Sequence, residues 1–99
     1  MDIKIQSLRF DADTKLLDFV ENKVSKLNQY YDNIIGVEVI LKLDKSEESG
    51  NKVADIKILI PGSDLFSKKQ AKSFEEATDL ATDALKRQLK KTKEKQRNK

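Results

Sequence analysis

Two segments of strict alternation fix most of what this chain can become. Val37, Val39, Leu41 and Leu43 alternate with Glu38, Ile40 and Lys42, and Ala54, Ile56, Ile58 and Ile60 alternate with Asp55 and Lys57. A period of two sends each apolar set to one face of an extended strand. Between the two lies Lys45-Ser46-Glu47-Glu48-Ser49-Gly50-Asn51-Lys52, a polar stretch with a Gly-Asn step, which reads as a hairpin loop. The pair is an antiparallel hairpin with one apolar face and one polar face. Two strands alone are barely stable in water, so the apolar face needs further strands and a cover.

The flanking sequence supplies both. Ile3, Ile5 and Leu8 among polar neighbours read as an edge-like strand, broken at Phe10-Asp11-Ala12-Asp13. Asp13 or Thr14 suits an N-cap, because its side-chain oxygen can accept an orphan backbone N–H. Leu16, Leu17, Val20, Val24, Leu27 and Tyr31 then recur at helical spacing, with Lys15, Lys23 and Lys26 on the opposite side or its flank. Residues Asn33 to Gly36 connect this helix to the hairpin. After the hairpin, Pro61-Gly62 is a turn, and Leu65 to Lys69 reads as a short fourth strand. Ser73 with Glu76 three residues on matches a capping box. The helix it opens runs to at least Lys91, with Phe74, Ala77, Thr78, Ala81, Leu85 and Gln88 on one face and Leu89 on its edge.

The element order is therefore β-α-β-β-β-α. Two amphipathic helices and a one-sided sheet bury their apolar surfaces most economically as an α+β two-layer sandwich. Both helices lie on one face of a four-stranded, mostly antiparallel sheet. A chain of 99 residues suits one domain. Residues 1–92 are expected to form it, and residues 93–99, where the apolar stripe has faded, to form a basic, flexible C-terminal tail, either a frayed helix end or a disordered extension.

Chemistry is scarce. The sequence has no Cys and no His, which excludes thiolate and imidazole catalysis and His-ligated metal sites. The paired carboxylates Glu47-Glu48, Glu75-Glu76 and Asp79/Asp83 lie in a polar loop or on a solvated helix face, not in a cleft that could shift their pKa. Gly36, Gly50 and Gly62 are isolated in turns, so no phosphate-cradling loop exists, and Asp11 with Asp13 lacks the spacing of a calcium loop. No catalytic residue, metal site, cofactor or small-molecule substrate is expected. No apolar run approaches the roughly 20 residues of a membrane span. Met1-Asp2-Ile3-Lys4 lacks the layout of a signal peptide, so a soluble cytoplasmic protein is expected.

Charge is the informative feature. From Lys86 onward eight basic residues stand against Glu94 alone, a net of +7, whereas residues 1–85 hold 12 basic and 16 acidic residues, a net of −4. On the outer face of the second helix, Glu75, Glu76, Asp79 and Asp83 give way to Lys86, Arg87, Lys90 and Lys93. Both halves complement the helix macrodipole, and Asp83 can pair with Arg87 at i, i+4. The dipole, however, is served by one or two cations in the last turn. The excess reads as a surface for a polyanion, with a solubilising tail as the alternative. Of the aromatics Phe10, Phe19, Tyr30, Tyr31, Phe66 and Phe74, most occupy core-like positions, including at least one of the two tyrosines. That favours folded RNA met through shape and phosphates over base stacking on an exposed platform.

Lys26-Leu27-Asn28-Gln29-Tyr30-Tyr31-Asp32 closes the first helix, and the second reads Ala77-Thr78-Asp79, Asp83 and then Leu85-Lys86-Arg87-Gln88-Leu89-Lys90-Lys91-Thr92-Lys93. In this order the chain resembles the bacterial hibernation-promoting factors, also called the ribosome-associated inhibitor family. The resemblance implies a fold similar to a double-stranded-RNA-binding domain. It implies a partner, the small ribosomal subunit, bound through ribosomal RNA in the channel of mRNA and of A- and P-site tRNA. It implies inhibition of translation by occupancy in stationary phase or starvation, without catalysis. Carried onto this sequence, the RNA-binding positions are Lys86, Arg87, Lys90, Lys91 and Lys93 on the second helix, and Lys23, Lys26 and Tyr30 on the first.

Two departures stand out. Glu75 takes the place of an aromatic frequent in the family, and Thr78 the place of an isoleucine, which leaves the packing at the start of the second helix open. Long members add a C-terminal dimerisation domain; this sequence resembles the short type and is expected to be a monomer off the ribosome. The competing reading is a general structured-RNA-binding module, for tRNA or another RNA, with no preference for the ribosome.

Overall fold

A computed structural model describes residues 1–46 and 48–97, the side chains of residues 96 and 97 excepted. Of the charged residues singled out above, Glu47 and Lys99 lie outside the described residues. The elements are β1 (Asp2–Ser7), α1 (Thr14–Ser25), a 3-10 turn (Lys26–Gln29), β2 (Gly36–Leu43), β3 (Lys52–Ile60), β4 (Ser63–Ala71) and α2 (Phe74–Arg97). The four strands form one sheet in the order β1-β2-β3-β4, with β1 parallel to β2 and the other two pairs antiparallel. This is the expected β-α-β-β-β-α sandwich.

Alternation sets the register. Ile5, Val39, Ile56 and Ser67 stand side by side across all four strands, as do Val37, Ile58 and Leu65 across three. These residues face the helices. Val20 and Val24 of α1, Leu41, Ile56 and Ile58 of the sheet, and Ala77, Ala81, Leu85 and Leu89 of α2 are wholly enclosed in the shared core. Each large apolar side chain buried there is worth about 1.5–3 kcal/mol.

The connections follow local chemistry. Asp13 is the N-cap of α1, its Oδ1 accepting the Leu16 N–H at 2.8 Å. Ser73 serves α2 in the same way, its Oγ accepting the Glu76 N–H at 3.0 Å. Pro61 and Gly62 alone join β3 to β4, and Gly62 takes the positive φ of 78° that a side chain would oppose. Because β1, β2 and β4 run the same way, α1 and α2 both leave from one end of the sheet and return toward the other. Their starts meet where the Phe10 and Phe74 rings stack, with centroids 4.6 Å apart. Their C-terminal halves, and the cations those halves carry, are thereby gathered at the far end.

Three features go beyond or differ from the sequence reading, and a fourth, at the end of α2, falls within it. The fourth strand spans Ser63–Ala71 and not only Leu65 to Lys69, because β3 offers a full-length partner. Phe66 is not at a core position: it falls on the outer face of β4 and is 53% exposed. Val53 is buried although it lies on that same outer face. Residues 93–97 continue α2 as helix. Among the described residues, no helix is long and apolar enough to cross a membrane, and no three acidic side chains gather where a metal could be held.

Candidate nucleic-acid interface

The end of α1 is tightened by the 3-10 turn, in which the Tyr30 N–H donates to the Leu27 carbonyl at 3.0 Å. That turn separates the fates of adjacent tyrosines. Tyr31 continues the apolar stripe of Leu27 and is buried at 6% exposure, while Tyr30 is half-buried with its ring turned toward α2. Two lysines one helical turn apart reach over that ring, with Lys86 Nζ 5.1 Å and Lys90 Nζ 5.4 Å from its centroid. Each contact is worth about 0.5–1 kcal/mol at an exposed site. Tyr30 thus holds in place two flexible cations that would otherwise sample many rotamers.

The acidic half of α2 deals with two other cations. Lys23 Nζ lies 2.8 Å from Asp79 Oδ1, an ion pair that ties the last turn of α1 to α2. The same ammonium stands 5.6 Å from the Phe19 ring. Arg87 pairs with Asp83 at 2.9 Å, the i, i+4 contact that the spacing suggested. A cavity of about 160 Å³ opens between the helices, with Lys23, Lys26, Tyr30 and Lys86 on its walls beside Asp79 and Asp83.

The expected RNA-binding residues therefore fall into two groups. Lys23 and Arg87 are engaged by carboxylates. Lys26, Lys86, Lys90, Lys91 and Lys93 carry no ion pair among the described residues. Lys26, Lys90 and Lys91 are exposed, Lys86 is half-buried against Tyr30, and Lys93 lines a small cavity of about 110 Å³ with Tyr31, Asp32 and Asn33. The structure brings Lys23, Lys26, Tyr30 and Lys86 together in one cleft, with Lys90 beside them over the Tyr30 ring and Lys91 and Lys93 further along α2. Such a surface suits phosphate oxygens: the cations are fixed at the rim, and each phosphate they neutralise releases counterions. Nothing in the sequence marks Lys23 as held by Asp79, since the two lie on different helices.

The packing question at the start of α2 has an answer. Glu75 points to solvent, so no aromatic is needed there. Thr78 is wholly buried, and its hydroxyl has no hydrogen-bond partner among the described residues. An orphaned buried hydroxyl of this kind costs about 1–3 kcal/mol.

Residues 3–97 match the model of the family described as Sigma 54 modulation protein / S30EA ribosomal protein. The chain is 31% identical over 96 residues to a ribosome hibernation promoting factor of Azotobacter vinelandii, covering 97% of this chain and 86% of that one. Among solved structures it is similar to the N-terminal domain of Protein Y from Thermus thermophilus, with a TM-score of 0.80, 27% identity, and 93% of this chain and 99% of that one covered. A ribosomal subunit interface protein from Coxiella burnetii shares the fold at a TM-score of 0.83 and 24% identity, over 94% of this chain and 98% of that one.

Proposed function

The chain belongs to the Sigma 54 modulation protein / S30EA ribosomal protein family, and from that premise we propose that it is a ribosome hibernation factor. It binds the small ribosomal subunit through ribosomal RNA, fills the channel of mRNA and tRNA, and inhibits translation in stationary phase or starvation. Its effect is steric and needs no catalytic group. Its working compartment is the cytoplasm, and off the ribosome it is a monomer. Lys86, Lys90, Lys91, Lys93 and Lys26 meet phosphates directly. Lys23 and Arg87 join them at the cost of surface ion pairs worth about 1 kcal/mol or less each. Tyr30 keeps Lys86 and Lys90 aimed.

The observation that carries this reading is the Tyr30 ring with Lys86 and Lys90 above it. Core packing does not call for two lysines on one aromatic, and like charges brought together cost energy in the free protein. An incoming polyanion removes that cost.

The test is co-sedimentation with separated ribosomal subunits at low and high salt, with and without excess free tRNA. Pelleting with the small subunit alone, lost at high salt and retained against tRNA, is the expected result. Equal pelleting with both subunits, or displacement by tRNA, would favour the general RNA-binding module instead.

A further inference from the structure

A second set of cations lies at the opposite end of the sheet, on the face turned away from the helices. Two adjoining cavities, of about 410 and 330 Å³, share Arg9, Lys42, Leu43 and Lys45 in their walls, and Lys68 lines the larger. Beneath the larger is Val53, only 2% exposed on a sheet face that no helix covers. Lys42 and Gln70 flank it in register on the neighbouring strands, and a lysine lays its aliphatic stem over apolar surface while its charged head reaches water. The basin thus has an apolar floor and a cationic edge.

Its acids are few and already engaged. Asp44 accepts hydrogen bonds from the Ser46 hydroxyl at 2.6 Å and the Ser46 N–H at 3.0 Å, and these hold its carboxyl below the usual carboxylate range. Asp55 lies 3.7 Å from Lys42 and opposite Lys68 in register. Among the described residues, four cations therefore face two carboxylates. Arg9 adds a further mark: among the described residues it is the one non-glycine residue with positive φ, at 67°. Holding an arginine in the left-handed region costs on the order of 1 kcal/mol, and such strain gathers at functional sites.

We infer that this basin binds the phosphodiester backbone of a second RNA segment, distinct from the one that meets α2. The inference rests on the RNA-binding reading above. A slab with principal extents of 47 × 23 × 18 Å and cations at both ends, on opposite faces, is suited to being gripped from two sides. The charge asks for an anion, and the half-exposed Leu8 and Leu43 beside the cations offer a surface for sugars. Because the two sites lie on different faces, one straight RNA strand does not reach both.

The experiment is an amide NMR titration of the full chain with a roughly 16-base-pair RNA duplex, the length a double-stranded-RNA-binding domain spans, and separately with polyglutamate. RNA is expected to move the amides of Arg9, Lys42, Lys45 and Lys68 together, as well as those around Lys86 and Lys90. Lys45→Ala/Lys68→Ala is expected to weaken the sheet-end response about tenfold and lower its salt slope by about 1.5, leaving the helix-end response in place. Arg9→Gly separates binding from folding: it is expected to weaken the sheet-end response about threefold for the loss of one phosphate contact, while the unfolding midpoint stays level or rises. Shifts confined to the helix end would overturn this inference and leave RNA binding by α2 intact. A sheet end that answers polyglutamate and not RNA would overturn it in favour of an acidic protein. No shift at either end would overturn this inference, while co-sedimentation with the separated subunits decides the ribosome-binding reading independently.

Discussion

The two halves of α2 are one continuous helix with different duties. From Phe74 to Leu85 its inner face is wholly or largely buried, and two of its four outer acids are paired, Asp79 with Lys23 and Asp83 with Arg87. From Lys86 onward the inner stripe is reduced to Leu89, and the outer cations outnumber any local partner. The first half holds the domain together. The second projects charge that the fold does not use. Sequence composition alone blurs the two, because a helix with acids first and bases last is what the macrodipole favours anyway. What separates them is count and pairing: dipole and ion pairs account for Arg87 and one or two further cations, and the rest have no ion pair among the described residues.

The largest effect should come from breaking the second half alone. Lys86→Glu/Arg87→Glu/Lys90→Glu/Lys91→Glu is expected to lower affinity for the small subunit by on the order of 10³ or more, since at least four phosphate contacts are lost or made repulsive. Circular dichroism should still show a folded, helical domain. Breaking the first half should do the reverse. Leu85→Ala, at a position with no exposure, is expected to cost about 2–5 kcal/mol in urea unfolding, while the fraction that remains folded binds as before.

Two smaller changes sharpen the contrast. Thr78→Val keeps the shape of a buried side chain and removes its orphaned hydroxyl, so stability should rise by about 1 kcal/mol with binding unchanged. Asp79→Asn releases Lys23. Stability should fall by less than about 1 kcal/mol, as for other solvent-exposed pairs. Affinity for RNA should rise a few fold, because one cation is freed and one anion removed. A fall in affinity would mean that the Lys23–Asp79 pair shapes the cleft more than it masks charge.

Much of the fold is legible because its strongest signals are periodic. Val37–Leu43 and Ala54–Ile60 declare strands with one buried face, Leu16 to Tyr31 and Phe74 to Leu89 declare helices, and their order leaves few ways to stack them. The features that pattern leaves open lie where neighbours or intrinsic propensity decide. The ends of β4 carry no alternating signal of their own and become strand because β3 pairs along their whole length. Val53 is buried by side chains distant in sequence. Residues 93–97, Lys-Glu-Lys-Gln-Arg, stay helical without an apolar stripe, since all five are good helix formers. Within the candidate site, the charge run on α2 is visible in the sequence, and so is the burial of one tyrosine. The Asp83–Arg87 pair is visible as well, whereas Lys23–Asp79 and the approach of Lys86 and Lys90 to Tyr30 are not, because they depend on how two helices lie against each other.

On the proposed mechanism the protein silences ribosomes by occupying them through the basic half of α2. The most direct measurement is inhibition of a purified translation system as a function of the protein-to-ribosome ratio, for the wild type and the four-residue charge reversal. Inhibition should follow occupancy, reach its limit when protein and ribosomes are stoichiometric, and disappear in the variant. Inhibition that is complete far below stoichiometry, or that survives charge reversal in a folded variant, would contradict the account.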